Sequence, residues 1–150
     1  MCALTVLLLC LSTLALVAIG LADNASFTVQ PQKEHAITLN LKETDSISGS
    51  FSVVSNDDTG INFYINDQFN YTVLRQDNVK HRSFSLIINS TGDYTLHFDN
   101  SLSTSYSKTV ALNYNVIHYI MGMPQEQFLF VVVAIVAVIG IVAYLALMPK

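Results

Sequence analysis

The sequence predicts an all-β chain, an antiparallel β-sandwich of about seven short strands followed by one apolar C-terminal helix of membrane-spanning length. Three observations carry that expectation. The middle of the chain alternates apolar and polar residues with a period of two. Turn-forming clusters interrupt the alternation at short intervals. Apolar residues that do not alternate are gathered at the two ends.

The alternation is legible residue by residue. Ile37, Leu39 and Leu41 alternate with Thr38, Asn40 and Lys42, and Ile47, Gly49, Phe51 and Val53 alternate with serines. The pattern continues through Ile61, Phe63 and Ile65; Phe69, Tyr71 and Val73; Phe84, Leu86 and Ile88; Tyr94, Leu96 and Phe98; and Val110, Leu112, Tyr114 and Val116. A period of two turns one set of side chains inward and the other to water, and the β-branched and aromatic content suits a pleated surface. Ser55–Gly60, Asn66-Asp67 and Asn89–Asp93 are the turn signals between runs. The sandwich is expected over 34–118, with 23–33 as a polar lead-in and 119–127 as a connector.

Phe128–Leu147 is twenty residues with no charge and no polar group except the Tyr144 hydroxyl. A helix of that length reaches about 30 Å, the thickness of a bilayer core. Residues 1–22 are uncharged and almost wholly apolar, and close on Gly20-Leu21-Ala22, as a secretory signal does. With Glu126 before the apolar run and Lys150 after it, the expected topology is single-pass. The domain is extracellular or lumenal and a cytoplasmic tail occupies 148–150.

Both cysteines, Cys2 and Cys10, lie in the first segment, so the sandwich is expected to hold by packing, without a disulfide. The net charge is −4, and it becomes −5 once Lys150 is set aside, which does not invite nucleic acid. No serine sits in a Gly-x-Ser-x-Gly elbow, and His35, His81, His97 and His118 have no close ligand spacing. Asp57-Asp58 lacks the ordered acidic series of a calcium loop. The chain therefore reads as non-enzymatic, with no cofactor and no metal. Three Asn-x-Ser/Thr sequons, at Asn24, Asn70 and Asn89, mark acceptor sites for N-linked glycans, with Asn70 expected on the polar face of a strand.

The most distinctive stretch runs from Gly92-Asp93-Tyr94-Thr95-Leu96-His97-Phe98-Asp99-Asn100-Ser101 to Ser107-Lys108-Thr109-Val110 and Leu112-Asn113-Tyr114. It resembles the end of the GOLD (Golgi dynamics) domain, and the likeness extends over residues 34–117. Gly92, Tyr94, Phe98, Asn100 and Lys108 are its signature. Gly92 is expected to permit a sharp turn into the strand, Tyr94 to bury its ring and bond back across the corner, and Asn100 to bond the following turn. Ser90-Thr91-Gly92-Asp93-Tyr94 is also similar to the tyrosine corner of immunoglobulin-like domains, but there is no Trp and no core disulfide.

The resemblance implies two settings. One is the cargo receptors of the early secretory pathway, whose coiled coil, lumenal cysteine pair and tail sorting signals are missing here. The other is short anchored proteins, for which it implies a surface binding module. The expected function is thus a membrane-anchored module that binds other proteins. The alternative is a structural envelope component that forms homo-oligomers.

Overall fold

A computed structural model of the chain describes residues 23–147. The expected signal segment 1–22 and tail 148–150 lie outside the described residues. Contacts divide the chain into two units, with the boundary between His118 and Tyr119.

The first unit is the sandwich. Its strands are β1 (Asp23–Val29), β2 (Glu34–Leu41), β3 (Ser46–Val54), β4 (Ile61–Asn66), β5 (Thr72–Val79), β6 (His81–Ile87), β7 (Gly92–Asp99) and β8 (Lys108–Ile117). One four-stranded sheet has the order β1-β8-β3-β6 and the other β2-β7-β4-β5. Every pairing within the two sheets is antiparallel. This is jelly-roll order. Of the connections between consecutive strands, only β4 to β5 stays within one sheet; the others cross from one sheet to the other.

The sequence expectation differs at two places. Asp23–Val29, expected as part of the lead-in, is a strand, which makes eight strands in the sandwich instead of about seven. It alternates like the others: Ala25, Phe27 and Val29 turn inward while Asn24, Ser26 and Thr28 are exposed. Its pairing with the last strand, Phe27 opposite Val110, is a non-local partnership that local pattern does not announce. Secondly, Phe69 and Tyr71 are not in a strand. The Asp67 Oδ1 accepts the backbone N–H of Phe69 (2.9 Å) and of Tyr71 (2.8 Å), and Asn70 takes a φ of 65°. An Asx-type loop therefore forms, and β5 starts only at Thr72.

Inward residues of both sheets form one core around five phenylalanines. Phe98 lies 5.1 Å from Phe27, 5.5 Å from Phe51 and 5.0 Å from Phe63, and Phe63 is 4.9 Å from Phe84 (ring centroids). Edge-to-face and tilted packing at these separations adds to the hydrophobic term. Gly49 is needed here, since a Cβ would stand 2.6 Å from the Asn113 carbonyl oxygen and 2.8 Å from the Phe84 ring.

The second unit contains a small hairpin, β9 (Tyr119–Ile120) with β10 (Met123–Pro124), and the helix α1 (Gln125–Ala146). Met121 and Gly122 both have positive φ, the requirement of a type I′ turn. The helix starts three residues before the expected Phe128. Pro124 precedes it, and Gln125 to Gln127 continue the helical run, with Glu126 in the first turn where a negative charge is favoured. It is long and apolar enough to cross a membrane, and none of its residues is buried.

Candidate functional site: the outer face of the second sheet

The signature residues occupy the core and the two ends of the sandwich, away from its faces. Tyr94 buries its ring, and its hydroxyl donates to the Ser90 carbonyl at 3.0 Å. Gly92 acts differently from its expected role, because its backbone is extended strand. A Cβ there would lie 2.1 Å from the Gln68 Oε1 and 2.9 Å from its Cβ, so close approach is what demands glycine. Phe98 is the hub of the aromatic core.

At the other end Asn100 is fully buried. Its Nδ2 donates to the carbonyls of Val29 (3.2 Å), Gln30 (3.1 Å) and Tyr106 (3.0 Å). It thus bonds the turn before β2 as well as the turn that follows. Lys108 is also fully buried. Its Nζ donates to the Gly60 carbonyl and, at 2.7 Å, to the Thr59 Oγ1, which in turn donates to the Asp57 carboxylate at 2.7 Å. The Ser55 hydroxyl donates to the same carboxylate at 2.6 Å. Hydrogen bonds from Ser55 and Thr59 hold Asp57 down to about 2, while burial pulls Lys108 below the usual lysine range against the attraction of Asp57. These contacts hold loops together and present nothing to a ligand.

The sequons sit at the surface. Asn24 lies on the outer face of β1, where its Oδ1 accepts from the Asn113 Nδ2 at 2.7 Å. Asn89 is exposed in the β6–β7 turn. Asn70, expected in a strand, is in the β4–β5 loop, and its Oδ1 accepts from the Asn66 Nδ2 at 2.9 Å.

The richest cluster of polar side chains that faces water lies across β2-β7-β4-β5. Register sets Ala36, His97, Tyr64 and Arg75 in one row over four strands. Glu34, at the head of β2, ties the row together. Its Oε1 lies 2.6 Å from the His97 Nδ1, and its Oε2 accepts the Tyr64 hydroxyl proton at 2.6 Å. The rings of Tyr64 and His97 stack with centroids 4.5 Å apart and planes 7° from parallel. The Arg75 guanidinium lies 5.5 Å from the Tyr64 ring centre and pairs with Asp77 at 2.9 Å. Burial, then the bond to Glu34, push the Tyr64 hydroxyl up to about 12, so at neutral pH it is a fixed donor.

The neighbouring rows are also cross-linked. Thr38 meets Thr95 at 3.1 Å, Thr72 donates to Asn66 at 2.9 Å, and Asn40 donates to Asp93 at 2.7 Å. A face whose rotamers are already locked loses little entropy when something docks on it. Tyr and Arg are also the residue types that carry most interface energy. The arrangement suits recognition. Among the described residues no group of three or more His, Cys, Asp or Glu is placed to hold a metal ion.

The first sheet offers a contrast: a broad open depression of about 1020 Å³ lined by Ser26, Ser50, Ser52, Ala111 and Asn113 among others. His81 and Arg82 also line it, but among the described residues no cross-strand cluster like the one around Glu34 ties them together.

Outward parity of His97 and of Tyr64 is legible in the sequence. Their convergence on Glu34 is not, since residues 34, 64 and 97 meet only through the strand order β2-β7-β4.

Fold and surface together define a class: a β-sandwich domain followed by an apolar helix. Within that class, the family model for "emp24/gp25L/p24 family/GOLD" matches residues 24–128, well over half of the chain. The chain belongs to this family, and its sandwich is a GOLD fold. No curated protein matches it in sequence. Solved structures similar to it include the periplasmic g-type lysozyme inhibitor PliG of Aeromonas hydrophila, at 10% identity and a TM-score of 0.49, covering 65% of this chain and 87% of that one. The Yersinia pseudotuberculosis-derived mitogen is 16% identical with a TM-score of 0.47, covering 65% and 86%. The pre-peptidase C-terminal domain of Bacillus anthracis collagenase is 18% identical with a TM-score of 0.45, covering 64% and 90%.

Proposed function

We propose that the chain is a single-pass membrane protein whose GOLD sandwich, on the extracytoplasmic side, binds other proteins through the outer face of β2-β7-β4-β5. The observation that carries this reading is the preorganised Glu34–Tyr64–His97 cluster with Arg75 beside it. The role is that of a non-enzymatic binding module. The membrane reading rests on the length and apolarity of α1, and the orientation on Glu126 before it and Lys150 beyond it. Asn24 and Asn89, both exposed, are the glycan sites that this orientation makes available.

The test is site-specific photo-crosslinking in the native membrane. A photoreactive side chain in place of Ala36, exposed on the proposed face, is compared with one in place of Ser50 on the other sheet. A discrete heterologous product from position 36 that weakens severalfold with Arg75→Ala supports the binding module. Products that contain only this chain, or that form from position 50 alone, favour instead the self-associating envelope component.

A further inference from the structure

We propose that the β4–β5 loop is a membrane-contact site, with Phe69 and Tyr71 resting in the interface of the bilayer that α1 crosses. The proposal depends on the reading of α1 as a membrane anchor and goes beyond the protein-binding face.

Phe69 and Tyr71 are 68% and 71% exposed, while the aromatic core residues are buried. Large aromatics left in water on a loop mark an interaction site, and Tyr is a ring favoured at the membrane–water boundary. The loop is held in shape. The Asp67 carboxylate caps the N–H groups of Phe69 and Tyr71, and the Asp67 N–H donates to the Tyr71 carbonyl at 2.9 Å. The loop backbone that presents the two rings is therefore already ordered.

The location of the loop names its partner. Gln68 packs on Gly92, Gly92 pairs with Leu41, and the turn after Leu41 carries Asp45, whose Oδ2 lies 2.7 Å from the His118 Nδ1. The exposed rings thus share the end of the sandwich from which the chain leaves at His118. Six residues, 119–124, separate His118 from the helix. Fully extended they reach only about 20 Å. A connector of that length allows the end that bears Phe69 and Tyr71 to reach the lipid surface.

The turns and strand ends at this end of the sandwich carry Glu43, Asp45, Asp67 and Asp93 against Lys42 and His118. That balance favours zwitterionic lipid and a contact driven by burial, insensitive to salt. Asn70 lies between the two aromatics, so a glycan on it would hold the loop off the surface. Its sequon is therefore expected to stay bare.

The chain contains no tryptophan, so Phe69→Trp introduces a single fluorescent reporter. The full chain is reconstituted in phosphatidylcholine vesicles with brominated acyl chains. Tyr106→Trp, at the opposite end of the sandwich, and Val138→Trp, within α1, are its references. The expected result is strong quenching at 138, quenching at 69 severalfold greater than at 106, and no change in high salt. Tyr71→Trp repeats the reading one contact along, should Phe69→Trp fold poorly. Quenching at 138 with position 69 as unquenched as 106 overturns the loop contact and leaves the anchor standing. Absence of quenching at 138 removes the anchor and the loop contact together. A glycan found on Asn70 overturns the loop contact alone.

Discussion

The two ends of the sandwich solve the same problem in different ways. At both, chain crosses between sheets and its backbone polar groups need partners. At the end containing Asn100 and Lys108, the partners are fully buried side chains that reach across three loops. At the end where β8 stops, the buried Asp45 accepts the Lys42 N–H at 2.9 Å and meets a His118 whose side chain is 46% exposed. One end is closed from inside. The other is closed by a partner open to water, beside a loop that leaves two aromatics uncovered. The closed end acts as a structural lock, and the open end is the one proposed above to rest on the bilayer.

The sharpest way to break this comparison is Lys108→Met. It keeps the stem but leaves the buried Gly60 carbonyl without its donor and removes one bond from the Thr59 hydroxyl. The expected loss is about 3 kcal/mol of stability, since a buried acceptor left without its donor keeps its full desolvation cost. Chemical unfolding of the full chain in detergent reads it. A loss no larger than that of a surface substitution would show that water reaches the site. Asn100→Ala removes one amide from three carbonyls and is expected to cost about 2 kcal/mol in the same assay.

At the other end the effects shrink. Tyr94→Phe deletes one hydroxyl bond to the Ser90 carbonyl, and about 1 kcal/mol is expected. An effect as large as that of Lys108→Met would erase the distinction between the ends.

Acid sharpens the comparison without a mutation. The folded value of Asp57, about 2, lies below its ordinary value of 3.8. Its contribution is therefore present above 3.8 and is lost as pH falls from there toward about 2. In that window Asp57→Asn should flatten the fall of the unfolding midpoint. An unchanged profile would place the acid-sensitive group elsewhere.

Several features are legible in the amino-acid sequence alone. The inward residues of β2, β3, β4, β7 and β8 follow from strict alternation, since a one-residue slip would expose every core side chain. The apolar run near the C-terminus reads as a helix because its length and lack of charge leave few other options. Phe69 and Tyr71 read as strand because alternation over three positions cannot be told from a loop whose backbone is captured by one aspartate. β1 escapes notice because a polar strand at a sheet edge looks like a lead-in until its partner is known.

By itself, then, the sequence determined which residues turn inward, where turns interrupt them, and that an apolar helix follows a sandwich without cysteine. These are local properties, set by period, propensity and turn chemistry over a few residues. Tertiary structure alone decided that Glu34, Tyr64 and His97 share one surface, that Lys108 is buried beneath Gly60, and that the Phe69 loop and His118 lie at the same end. The physical reason is the crossing topology. All connections but β4–β5 carry the chain to the opposite sheet, so neighbours within a sheet are distant in sequence. Such partnerships form only when the two sheets close on their shared core.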